Sequence, residues 1–247
     1  MACLFCGGIG PYSTEHPIPE SLGGNIKLEN RVCTRCNGVF AKLEQEVLDK
    51  TLLGFSRVLM RVRTKKRKMP SINTTLRCRA GETNHTPIRF RADDTGALFL
   101  DVLNDPDGSV LRQLGSGKLD LQFVITAKMK VTVGRFLAKV ALGTFCHRFD
   151  EYAYRAEYDL LREFARYGST ASRRWPFYFD TVGSVADALR ARSQNRIGRY
   201  HFAASDGQLW FALEHAGTWW ALCMSSRNEF EIDELPEKWG SERCIRA

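Results

Sequence analysis

The sequence predicts an α+β fold in two parts, and three observations predict it. Two Cys-x-x-Cys pairs fall within the first 36 residues. A stripe of apolar residues at helical spacing follows from about Asn37. Beyond Pro70, short strand-like runs alternate with turn chemistry and with two or three helical stretches. The expected division is a small N-terminal unit over 1–69 and a larger α+β unit with antiparallel strands over 70–247.

The first unit follows from its cysteines. Hydrophobic residues make up 44% of the chain and charged residues 26%, a globular rather than a disordered balance. No run approaches the roughly 18 apolar residues of a membrane span. The N-terminus lacks the basic start and apolar core of a signal peptide. A cytoplasmic location without a membrane partner is therefore expected, where thiols stay reduced and eight cysteines point to metal before disulfides. Cys3 with Cys6 and Cys33 with Cys36 form two knuckles, each aiming two sulfurs at one tetrahedral ion, the pattern of a structural zinc site. Cys78, Cys146, Cys223 and Cys244 share no spacing and read as buried apolar residues.

The helix expected next carries Val39, Phe40, Leu43, Val47, Leu48 and Leu52 on one face, with Gly54 interrupting or ending it. The segment 57–68 then carries seven cationic residues (Arg57, Arg61, Arg63, Lys65, Lys66, Arg67 and Lys68) and no acidic one. With 36 lysines and arginines against 28 acidic residues, the chain attracts polyanions, and this run reads as a solvated arm that would grip phosphate where a nucleic-acid site adjoins it.

In the second unit, strands are expected over residues 74–79, 88–92, 97–102 and 119–125. Helices are expected over 135–147 and 152–167, with Gly168 as the stop of the latter. A short strand and a helix near 185–192 follow Pro176. Strands over 200–204, 209–213 and 218–224 close the chain, with Ser205-Asp-Gly and His215-Ala-Gly as their hairpin turns. Trp210, Phe211, Trp219 and Trp220 read as core rather than as a base-stacking platform. Adjacent Cys146 and His147 diverge on a helix and make no nucleophile pair. Nothing in this unit points to chemistry of its own.

Between the two knuckles stands Glu15-His16-Pro-Ile-Pro-Glu-Ser-Leu-Gly-Gly24, then Leu28-Glu-Asn30, then Cys36-Asn37. Over residues 3–45 this pattern resembles the zinc-bearing branch of the HNH endonuclease family. The resemblance implies a ββα-metal fold, in which two short antiparallel strands, a loop and a helix surround one catalytic divalent ion. It implies that His16 is the general base, that Asn30 braces the loop, and that Glu15 and Asn37 ligate the catalytic ion. That ion would be Mg2+ or Mn2+, with Ni2+ or Zn2+ as alternatives, and the substrate DNA, with RNA as an alternative. A double-strand cut would require a homodimer or two successive nicks.

Elementary chemistry favours the same roles. Phosphodiester hydrolysis needs an activated water, which a histidine titrating near neutrality supplies, and a cation to stabilise charge on the phosphate. Two departures oppose a simple transfer: Asn37 is a neutral ligand, which leaves the metal site with low protein charge, and neighbouring strand residues point to opposite faces, so Glu15 and His16 share a site only if the strand end is twisted, as Pro17 and Pro19 could do. The competing reading is a zinc-stapled nucleic-acid-binding module without catalysis.

Overall fold

The computed structural model describes residues 2–63, 67–77, 85–95, 97–103, 126–168, 175, 177–181, 198–205, 207–216, 218–225 and 244–246. Its first elements are a hairpin, β1 (Tyr12–Glu15) against β2 (Leu28–Cys33), and a helix, α1 (Thr34–Lys50). The hairpin register slips after the Ser13–Val32 pair, and Glu15 next pairs with Leu28. Thr14 therefore stands opposite Glu29, Asn30 and Arg31, and Asn30 takes up the slack at φ +57°, a left-handed conformation that asparagine tolerates better than most residues.

α1 begins three residues earlier than the apolar stripe suggested. Cys33 caps it and its sulfur accepts the Cys36 N–H, so the second knuckle is the helix's first turn. The buried stripe is Cys36, Phe40, Leu43, Val47 and Leu48, while Val39 faces outward at 36% exposure. The helix ends at Thr51 rather than Gly54. The Thr51 hydroxyl donates to the Val47 carbonyl and accepts the Leu53 N–H, closing α1 and capping α2 (Leu52–Leu59). Gly54 lies in the first turn of α2, where a Cβ would stand 1.9 Å from the Leu48 carbonyl oxygen.

α2 packs under a meander of three antiparallel strands, β3 (Ser71–Arg77), β4 (His85–Ala92) and β5 (Leu98–Val102). Ile72, Phe90 and Ala92 face Phe55, Val58 and Leu59, with the Phe55 and Phe90 rings stacked at 4.6 Å. The expected strand over 119–125 and helix over 185–192 lie outside the described residues.

α3 (Ala127–Phe149) starts eight residues before the expected helix, because Thr126 caps it by accepting the Met129 N–H. From Thr132 to Cys146 every residue but the half-buried Arg135 is buried, as befits a central helix. The helix expected over 152–167 is divided: 3-10 turns at Asp150–Tyr154 and Ala156–Tyr158 precede α4 (Asp159–Tyr167), which Gly168 ends at φ +82°. The remaining strands, β6 (Phe177–Thr181), β7 (Gly198–Ser205), β8 (Gln208–His215), β9 (Thr218–Cys223) and β10 (Cys244–Arg246), form an antiparallel sheet in the order β10-β7-β8-β9-β6. Trp210, Phe211 and Trp220 are buried, and the half-buried Trp219 packs its ring against His201.

The fold is α+β with antiparallel sheets, and its packing does not break at residue 69. One hydrophobic core joins Leu4, Phe5, Phe40 and Val47 to Phe136, Val140, Phe202 and Trp220. No helix among the described residues is long and apolar enough to cross a membrane.

His215, at the end of β8, is sealed in this core. Burial drives its imidazole down to about 4, opposed only by the main chain at Leu22. Its folded value lies below its unfolded one, so the unfolded chain binds the extra proton and stability falls as pH drops from about 6.5 towards 4. We expect His215→Leu to lessen the loss of urea stability between pH 7 and pH 4.5 by about 2–3 kcal/mol relative to the native chain. Equal losses in the two proteins would refute this.

Candidate metal centre and the His16 turn

The four cysteines of the two knuckles converge. The Sγ atoms of Cys3, Cys6, Cys33 and Cys36 all lie within 4.8 Å of one another, and those of Cys6 and Cys33 are 3.7 Å apart. Four sulfurs at about 2.3 Å from a central tetrahedral ion would stand about 3.8 Å apart, so this donor set fits a metal such as zinc. The chain's local folding explains the convergence. The first knuckle closes when Gly7 N–H donates to the Cys3 carbonyl and Cys3 N–H to the Gly8 carbonyl, with Gly7 at φ +67°. Leu4 N–H then donates to the Arg31 carbonyl, pinning this knuckle beside β2.

Main-chain N–H groups prepare the sulfurs for a cation. Cys33 N–H points to the Cys3 sulfur at 3.4 Å, and Cys36 N–H to the Cys33 sulfur at 3.5 Å. Hydrogen bonding from Cys36, with N–H groups of Cys33, Phe5 and Cys6, lowers the Cys3 thiol to about 4 against the cost of its burial. The same contact raises Cys36. Among the described residues this is the only cluster of three or more His, Cys, Asp or Glu side chains able to hold a metal ion. Cys146 and Cys223 are buried, as expected, with their sulfurs beside Asp150 and beside Gln208 and Ser225.

His16 follows the last residue of β1. The chain then turns through Pro17 and Pro19 into a 3-10 turn at Glu20–Leu22, which Gly23 ends at φ +83°. The turn is tight: a Cβ on Gly24 would stand 1.9 Å from the Ile18 carbonyl oxygen. The His16 ring places Nε2 3.3 Å from Glu20 Oε1, and its Nδ1 is buried without a protein partner. Glu20 escaped sequence reasoning, although its place four residues after His16 was visible. Asn37 reaches back from α1 and donates its Nδ2 to Ser13 Oγ at 2.7 Å and to the Thr14 carbonyl at 3.3 Å, tying the helix to the end of β1. The Asn30 side chain is exposed on the hairpin slip and makes no hydrogen bond to His16.

Glu15 turns inward from the end of β1. It is 4% exposed and points away from solvent, where its Oε1 lies 2.5 Å from Lys139 Nζ on α3. The same ammonium contacts Glu44 Oε1 at 2.7 Å. Burial pushes the Glu15 carboxyl up and the Lys139 charge pulls it back. Strand alternation thus turns Glu15 towards the core, where the Lys139 ammonium meets its carboxylate, while Asn37 ties α1 to the end of β1. Lys139 and Glu44 were both missed.

The basic run is divided in a similar way. Arg57 is buried inside α2, where its Nε donates to the Val62 carbonyl at 3.4 Å and desolvation lowers its pKa. Arg61 is half-buried; Arg63, Arg67 and Lys68 are exposed, with Arg63 paired to Asp94 at 3.0 Å. Lys65 and Lys66 lie outside the described residues.

Replacing one sulfur tests the centre. Cys33→Ser should lower bound metal in elemental analysis and melt the N-terminal hairpin, given binding free energies of about 10–16 kcal/mol for structural four-ligand sites. Unchanged metal content and melting would contradict the cluster as a metal centre. No family model matches the chain, and neither does any curated protein or solved structure.

Proposed function

We propose that this chain is an HNH-type endonuclease, a phosphodiester hydrolase whose four cysteines hold a structural zinc ion and whose His16 is the general base. One observation carries the reading: His16 Nδ1 is a buried ring nitrogen without a protein partner, on a turn that follows directly from the metal-stapled hairpin. Such an atom is costly unless a water or a substrate completes it. Glu20 gives this nitrogen a chemical character. A carboxylate 3.3 Å from Nε2 favours the tautomer with its proton there, leaving the lone pair on Nδ1. In this state Nδ1 accepts a proton from an attacking water, and Glu20 stabilises the imidazolium that results.

The substrate is DNA, with RNA the alternative, held by exposed Arg63, Arg67 and Lys68 through phosphate contacts that salt weakens. Asn37 keeps the first turn of α1 against the end of β1, fixing the distance between the helix and the base. The resemblance implies Mg2+ or Mn2+ as the catalytic ion.

The competing reading, a zinc-stapled nucleic-acid-binding module without catalysis, gains from the exposed Asn30 side chain, which does not brace His16. One assay separates the two. Supercoiled plasmid and single-stranded RNA are incubated with the full chain and Mg2+ or Mn2+, beside EDTA, His16→Ala and Glu20→Gln arms. The nuclease reading expects cleavage by the native chain and a loss of about 100- to 10,000-fold in His16→Ala. Binding without cutting under every condition would leave the module reading in its place. Equal cutting by His16→Ala would remove His16 as the base.

A further inference from the structure

α3 lies outside the Cys-His-Asn segment, yet it forms one wall of the His16 turn. Its Lys139 side chain is 0% exposed, and Nζ is surrounded by four oxygens. These are Glu15 Oε1 at 2.5 Å, Glu44 Oε1 at 2.7 Å, the His16 carbonyl at 2.7 Å and the Pro17 carbonyl at 3.0 Å. An ammonium has three N–H donors, so this shell leaves none unused. A buried charge without compensation would be strongly unfavourable, and two carboxylates supply it here.

A second feature of the same helix acts at the same place. Gly143 lies one turn beyond Lys139, on the same face, and a Cβ there would come within 2.9 Å of Pro17 Cβ. The glycine lets the proline ring seat against the helix while the lysine holds the carbonyls on either side of that ring. Fixing the His16–Pro17 and Pro17–Ile18 peptide planes sets the direction in which the His16 side chain leaves the main chain.

We propose that Lys139 is a positioning residue for His16, and that Glu15 is the counter-ion of Lys139 rather than a ligand of the catalytic cation. The assignment rests on the reading of His16 as the base. Glu15 is the residue through which the C-terminal part grips the hairpin. A divalent ion on its carboxylate would stand beside the ammonium and be repelled by it. Residues 1–69 therefore do not contain the whole site: the base is aimed by a helix more than a hundred positions away in the chain.

The test uses the full chain with histidine ring labels. In Lys139→Met/Glu15→Gln the ammonium and its buried carboxylate are removed together, leaving only the partly exposed Glu44 to be met by solvent, and Gly143→Ala disturbs the Pro17 seat without touching any charge. Both variants should keep their zinc, shift the NMR signals of the His16 ring, and lose about ten- to a hundredfold in kcat at little-changed KM. In Glu15→Gln alone, Mn2+ affinity measured by electron paramagnetic resonance should equal that of the native chain. His16 signals that superimpose on the native ones in both variants would overturn the positioning role. Loss of zinc from both would do the same, making Lys139 a requirement of folding. A clear drop in Mn2+ affinity in Glu15→Gln would restore Glu15 as a ligand. If the native chain cuts no nucleic acid, the nuclease reading fails while the ring signals still decide whether Lys139 aims His16.

Discussion

Four sulfur atoms packed within 4.8 Å of one another are the constraint on which the rest of the N-terminal architecture depends. A hairpin of ten strand residues and a single helix bury too little apolar surface to fold alone. The sulfur cluster supplies what the core lacks, because it joins residues at both ends of the segment. Cys3 and Cys6 precede β1, while Cys33 and Cys36 sit at the junction of β2 and α1. Any ion held there ties the hairpin to the helix at one point. The His16 turn leaves the hairpin at its opposite end, so its geometry is inherited from that staple and from the slip in register at Asn30.

The second tie is electrostatic. Lys139 brings a full positive charge into the core and finds Glu15, Glu44 and two main-chain carbonyls already in place. Another cross-link lies at the end of α3, where Arg31 of β2 pairs with Asp150. Leu22 and Phe40 share one core with Phe136 and Trp220, so the helix and sheet that follow are not an appended unit. Their role for the site is mechanical: they close the side of the turn that faces away from solvent. The surface left open carries Glu20 and the partly exposed His16 edge.

Much of this was legible in the sequence, and what was missed has physical reasons. The cysteine pairs, the hairpin turns after Ser205 and His215, and Gly168 as a helix stop all rest on local rules, and local rules survive folding. Helix starts were misplaced because capping by Cys33 and Thr126 decides them, about one turn ahead of the expected start in α1 and two turns ahead in α3. Glu15 was assigned by position in a motif, whereas the pleat of β1 turns its side chain inward to a partner on α3. The signal for that partner was present in the sequence: Lys139 stands alone in the apolar run 136–142, where a charge must be either exposed or matched. Arg57 misleads in the opposite sense. It belongs to a cationic run by sequence and to the inside of α2 by structure, since α2 is buried between α1 and the β3–β5 meander.

Without the sulfur centre the hairpin that carries the His16 turn loses its staple to α1. X-ray absorption at the zinc edge of the purified chain tests it most directly. A first shell of four sulfur scatterers at about 2.3 Å, with no nitrogen or oxygen, is the result the geometry requires. A mixed or absent first shell, or disulfides among these cysteines, would contradict the metal-stapled frame and the placement of His16 that follows from it.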